Sequence, residues 1–171
     1  QNMLDLSKLE SGEYQVNARM FNIWDTLTGV ALSAEQRIND GMIDLEGLTM
    51  DEKVLVYADP DLIHQVAYNL LDNAIEACEK LEKQERRMAV KAIYNKSDNP
   101  PTLFFSVENA SKSVEIFGDH IPTTKPEPEL HGFGLPNVMD ILHKYGVFYL
   151  MDYKDGSFLF CLEWPDTAKQ K

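Results

Sequence analysis

Between Ala58 and Ala77 the chain reads ADPDLIHQVAYNLLDNAIEA, and its residues with chemistry to offer are Gln65, Asn69, Asn73 and Glu76. Spaced four, four and three apart, they form one polar row on a helix. Asn is disfavoured inside helices, because its amide competes for backbone hydrogen bonds. Two of them in one helix need a reason from outside it. A row of amides and a carboxylate suits a metal ion with phosphate oxygens; a solvated face is the other reading. Solvated faces ordinarily carry Lys and Arg, and neither occurs from Ala58 to Glu79. Further along, Gly132 and Gly134 precede a helical pattern. Glycines there let the backbone approach phosphate oxygens, and a helix start directs N–H groups at them. A flexible hinge would use the same residues.

The elements that must position these groups follow from periodicity. Asp59 suits an N-cap and Pro60 the first helical position, where no donor is needed. Ile63, Val66, Ala67, Leu70, Leu71, Ala74, Ile75 and Cys78 then make a buried face, and the helix should end near Glu82. The charged run EKLEKQERR reads as a solvated helix end and turn. Upstream, Glu13 to Phe21 alternates loosely and is expected to be an edge strand. Asn22 can cap a helix with Ile23, Trp24, Leu27, Val30, Ala31, Ala34 and Ile38 inward, closed by Asn39-Asp40-Gly41. Residues 42–48 and 53–57 are β-like runs around Thr49-Met50-Asp51-Glu52, a hairpin pattern. Strands are expected at 88–94 and 103–108 across the turn NKSDNPP. Residues 110–130 lack a period and hold Pro122, Pro126 and Pro128; a long loop in a compact domain is usually functional or disordered. Residues 135–145 read as a helix with Val138, Ile141 and Leu142 inward. Residues 147–153 and 157–164 are strands joined by Lys154-Asp155-Gly156, a hairpin signal. Helices covering one side of a mixed sheet would make a two-layer α/β sandwich.

Composition excludes several classes. At 171 residues the chain is one domain with room for a core. The apolar runs fall short of the roughly 20 residues that span a bilayer. A net charge of −12 argues against nonspecific binding to nucleic acid or anionic membranes. Cys78 and Cys161 read as buried, reduced thiols. Four histidines and no Cys-x-x-Cys give no zinc pattern.

Asn69-Leu70-Leu71-Asp72-Asn73-Ala74 resembles the N-box of the GHKL ATPase superfamily, which includes sensor histidine kinases. His131-Gly132-Phe133-Gly134-Leu135 resembles its second glycine box, in the right order and at about the right distance. The likeness runs from about Met3 to Pro165. The wording Asp72-Asn73-Ala74-Ile75-Glu76-Ala77 is similar to a subset that includes peptide quorum-sensing kinases. Residues 1–12, QNMLDLSKLESG, resemble the end of a dimerisation helix or linker. Residues 13–165 would then be the ATP-binding kinase domain and 166–171 a C-terminal tail.

The resemblance implies a function and its residues. Asn73 matches the position of the metal-binding Asn. Asn69 matches a second Asn where ATP-hydrolysing relatives have a Glu; an Asn cannot activate water as a base, so phosphotransfer is expected over hydrolysis. Asn109, at the end of LFFSVEN, stands where the family has its adenine-recognising Asp. The usual Asp-x-Gly-x-Gly box is here Asn109-Ala110-Ser111-Lys112-Ser113, with both glycines gone. An Asn carbonyl accepts from an amino group, more weakly than a carboxylate. Lys125, in Thr123-Thr124-Lys125, would reach the terminal phosphates as a mobile charge. Gly132, Gly134 and Leu135 would carry the phosphate loop, with His131 a loop residue, and Ser157 would lie near the adenine. Phe104, Phe105 and Trp164 are expected in the core. The implied activity is that of a sensor histidine kinase binding ATP with Mg²⁺, a cytoplasmic domain of a membrane-anchored sensor. Its partners would be its own dimerisation domain in a homodimer and a response regulator. None of the four histidines sits in a dimerisation-helix context, so the acceptor is expected upstream of Gln1. The altered glycine box leaves a second reading: a degenerate module with weak or no nucleotide binding that serves regulation or interaction. A serine kinase of the anti-sigma type shares the fold, and the helix tail at Met3 to Leu9 argues against it.

Overall fold

A computed structural model describes Lys8 and residues 11–47, 53–116 and 134–165. Most of the expected long loop, beyond Ile116 and with Lys125, lies outside the described residues, as do His131, Gly132, the turn at 49–52, most of the expected dimerisation-helix end at 1–12, and residues 166–171. In chain order the elements are β1 (Arg19–Asn22), α1 (Ile23–Asp40), β2 (Asp44–Glu46) and β3 (Leu55–Ala58). They continue with α2 (Pro60–Glu79), β4 (Arg87–Asn95), β5 (Thr102–Ala110), α3 (Gly134–Lys144), β6 (Phe148–Lys154) and β7 (Ser157–Pro165). Five strands form one mixed sheet in the order β2-β4-β5-β7-β6. Leu103, Phe105 and Val107 of β5 alternate into the core with Phe158, Phe160 and Leu162 of β7. They meet Leu27, Val30, Leu70, Ile75, Val138 and Leu142 from the three helices. One face of the sheet is thus covered, the two-layer sandwich expected from the element pattern. No helix among the described residues is long and apolar enough to cross a membrane.

The expected hairpin over residues 42–57 does not form. β2 pairs in parallel with β4, Leu45 opposite Met88. β3 instead pairs antiparallel with β1 in a separate two-stranded ribbon, Arg19 opposite Ala58. Gly47 marks where the chain departs from β2. Its φ is +95°, and a Cβ there would sit 2.0 Å from the Val90 carbonyl oxygen, so only glycine fits against β4. The expected strand over residues 13–21 shrinks to Arg19–Asn22, because Tyr14 and Asn17 are held by a side chain instead of a ladder.

Local chemistry accounts for the other boundaries. The Asn22 side chain accepts from Trp24 N at 3.3 Å, capping α1, and from Val54 N at 3.1 Å. α2 stops at Glu79, three residues before the expected end. Arg86 closes the charged run. Its guanidinium donates to the carbonyls of Leu81 (3.0 Å), Glu79 (3.2 Å) and Gly41 (2.8 Å), tying the ends of α2 and α1 together. Asp155 and Gly156 both have positive φ, as the tight turn between β6 and β7 requires. Both cysteines are free; Cys78 is buried as expected, whereas Cys161 is half-buried on the uncovered face of the sheet.

Candidate functional site

α2 carries the polar row, and three contacts fix where it points. Its start is held by Asp59, which is 3 % exposed. One carboxylate oxygen accepts from Asp61 N at 2.9 Å and Leu62 N at 3.4 Å, capping the helix. The other accepts from the Tyr14 hydroxyl at 2.7 Å and Asn17 N at 2.9 Å. Burial and then the bond to Asp59 push the Tyr14 hydroxyl well above its ordinary pKa. The middle of α2 is held by Arg37 of α1, whose Nη1 donates to Asp72 at 2.5 Å while Nη2 lies 3.6 Å from Glu79. At the end, Cys78 Sγ contacts the carbonyls of Arg87 at 3.5 Å and Ala110 at 3.8 Å, so α2 finishes against the end of β5.

That arrangement buries half of the row. Gln65 and Asn69 are buried, while Asn73 and Glu76 are half-buried. The solvated-face reading therefore fails for the first two. Among the described residues Asn69 Nδ2 has no hydrogen-bond partner. A buried amide donor left unpaired costs about 1–3 kcal/mol, so its presence calls for an acceptor supplied from elsewhere.

Asn109 lies at the end of β5 on the covered face, opposite Met88 and Phe158, and is 2 % exposed. Its Nδ2 donates to the Ala110 carbonyl at 3.0 Å. Because Cys78 touches that same carbonyl, Asn109 sits beside the last turn of α2. Gly134 opens α3, which packs along α2, and Leu135 is buried beneath it. Among the described residues nothing lies within 4 Å of where a Gly134 Cβ would be, so internal packing does not explain the glycine. Asn137 is also buried on α3, a polar residue missed by reading only Val138, Ile141 and Leu142 as the inward face. Its signal was the helical step of three from Gly134.

Ser157 is not brought to this side. It pairs with Ala110 on the uncovered face, and its hydroxyl donates to Glu108 at 2.7 Å. Phe105 is core; Trp164 is half-buried and stacks on Tyr145 at 6.1 Å. Among the described residues no three His, Cys, Asp or Glu side chains gather as a metal cluster. The donors along the row are amide oxygens with one carboxylate, which suits a hard cation that takes its remaining ligands from phosphate and water.

Residues 60–165 match the GHKL domain family. Over 100 residues the chain is 30 % identical to the hybrid signal transduction histidine kinase D of Dictyostelium discoideum, covering 58 % of this chain and 6 % of that protein. The fold matches histidine kinase ThkA solved with the response regulator TrrA, with a TM-score of 0.67 at 20 % identity. That match covers 97 % of this chain and 47 % of the other. Full-length ShkA in complex with AMPPNP matches with a TM-score of 0.69 at 18 % identity, over 93 % of this chain and 33 % of that one. The polar row on α2 thus lies within the matched residues: the chain belongs to the GHKL family, with the fold of histidine kinase catalytic domains.

Proposed function

We propose that this domain binds ATP with Mg²⁺ and serves as the catalytic domain of a two-component sensor histidine kinase. The observation that carries the reading is the buried amide of Asn69, unpartnered among the described residues, in a row with Asn73. A ligand rich in oxygen acceptors, lying along α2, gives that amide its partner. Asn73 would offer a carbonyl oxygen to the metal, and the Asn69 amide would donate to a phosphate oxygen. Mg²⁺ would supply charge neutralisation at the phosphates. Asn109 accepts from the adenine amino group, while Gly134, Leu135, Gly132 and Lys125 hold the triphosphate. Ser157, bonded to Glu108 on the far face, is left out of the set. With no carboxylate at position 69, the site positions ATP for transfer and activates water poorly. The γ-phosphoryl group goes to a histidine on a dimerisation domain upstream, and from there to a response regulator. Its fold neighbours include one solved with AMPPNP and one with a response regulator, and these support the reading.

Calorimetric titration with a non-hydrolysable ATP analogue, with and without Mg²⁺, tests binding. Tight, Mg²⁺-dependent binding is expected. No heat at millimolar nucleotide would favour the degenerate, regulatory module instead. Radiolabelled ATP then tests transfer: acid-labile label should appear on a version extended through the dimerisation domain and stay absent from this chain alone. Label on one of the four histidines here would overturn the placement of the acceptor.

A further inference from the structure

We propose that Arg37, on α1, is a positioning residue for the nucleotide helix: its grip on Asp72 and Glu79 sets the rotation of α2 that presents Asn69 and Asn73. The inference rests on the nucleotide-binding reading above. Asp72 and Glu79 are seven residues apart, two turns along the same line of α2 and about 10 Å from one another along its axis. One guanidinium reaches both, through different nitrogens. Two anchors on one line resist both roll and tilt, where a single anchor resists neither well. Neighbouring residues on a helix point about 100° apart. Fixing Asp72 against α1 therefore turns Asn73 well away from α1, and Asn69 about 60° from Asp72. Asn73 also lies between the two anchors in sequence, so the held stretch contains it.

The chemistry of the pair suits positioning better than stability. The Arg37 side chain is 41 % exposed, and ion pairs at such exposure add little to folding. A fork with two nitrogens can hold two carboxylates at once, which a Lys ammonium on its flexible stem does less well. Burial opposes the charge on Arg37, but the bond to Asp72 and the charges of Asp72, Glu79 and Glu76 raise its pKa overall. Glu76 belongs to the polar row, so the field of the guanidinium extends to the row itself.

The test compares the wild-type chain with Arg37→Gln and with the reciprocal pair Arg37→Glu/Asp72→Arg. Calorimetry with a non-hydrolysable ATP analogue gives affinity and its Mg²⁺ dependence. Side-chain amide NMR reports the two asparagines directly. Arg37→Gln should melt close to wild type yet bind Mg-nucleotide about three- to tenfold more weakly, a loss typical of a displaced ligand contact. The amide resonances of Asn69 and Asn73 should shift while that of Asn95, the last residue of β4, holds. The reciprocal pair should recover much of the affinity. Unchanged affinity and unchanged Asn69 and Asn73 resonances in Arg37→Gln would overturn the inference while leaving nucleotide binding intact. Loss of affinity that merely tracks loss of stability, with no recovery in the pair, would also overturn it. A wild-type chain that binds no nucleotide would remove both the function and the inference.

Discussion

Replacing Asn69 with Leu should make the empty domain more stable and the nucleotide-bound domain impossible to form. Leu has the same branching as Asn, so the substitution removes a polar group with little change of shape. Asn69 is 9 % exposed, and among the described residues its Nδ2 has no partner. Removing an unpaired buried amide should return about 1–3 kcal/mol, and Leu is favoured over Asn in a helix by about another 0.5 kcal/mol. For a domain of this size each kcal/mol moves the midpoint by about 2–4 °C, giving a rise of about 3–14 °C without ligand. Wild type should gain about 2.7 kcal/mol at a nucleotide concentration of 100 Kd, and the variant nothing. The assay is thermal melting followed by circular dichroism, each protein with and without ATP analogue and Mg²⁺. The order of midpoints should then narrow or reverse on adding ligand. A variant that melts lower than wild type when empty, or that keeps the full ligand-induced rise, would refute the reasoning: Asn69 would then be a structural residue whose amide is satisfied.

Other substitutions read the rest of the site. Asn73→Ala should remove most of the Mg²⁺ dependence of nucleotide binding while leaving the melting point nearly unchanged; calorimetry at several Mg²⁺ concentrations checks it. Asp59→Ala should cost about 2–3 kcal/mol in urea denaturation, since the helix cap and two further hydrogen bonds go together, whereas Asp59→Asn, itself a good cap, should cost clearly less. Tyr14 has its folded pKa raised above the unfolded value near 10. Its contribution is therefore complete below about pH 10 and is lost as pH rises beyond it, so the stability gap between wild type and Tyr14→Phe should be constant from about pH 7 to 9.5 and close above that. Phe160→Ala, in a fully buried position stacked on Tyr149, should cost about 3–5 kcal/mol and leave the unfolding transition single.

Features encoded by near neighbours along the chain are legible in the amino-acid sequence. The cap and first turn of α2, the inward face of α1 and the turn at Asp155-Gly156 depend on contacts a few residues apart, and β4 and β5 are joined by a short turn; all stand where periodicity and turn chemistry place them. The polar row is visible for the same reason: spacing of three and four is a local property of a helix. Which strands pair is not local. β2 and β3 are three and four residues long, too short for an alternation that names a partner, so nearness in sequence suggests a hairpin where the fold uses β4 and β1. Burial is not local either. The same row could have faced water, and only packing among α1, α2, α3 and the sheet puts Asn69 out of solvent, with no partner among the described residues. The family resemblance places both Ser157 and Asn109 at the adenine, yet the pleat sends their side chains to opposite faces of the sheet. Residue types and their spacing settle which groups can do chemistry and on which elements they ride. Folding in three dimensions chooses which of those groups meet, because burial and strand pairing depend on residues far apart in the chain.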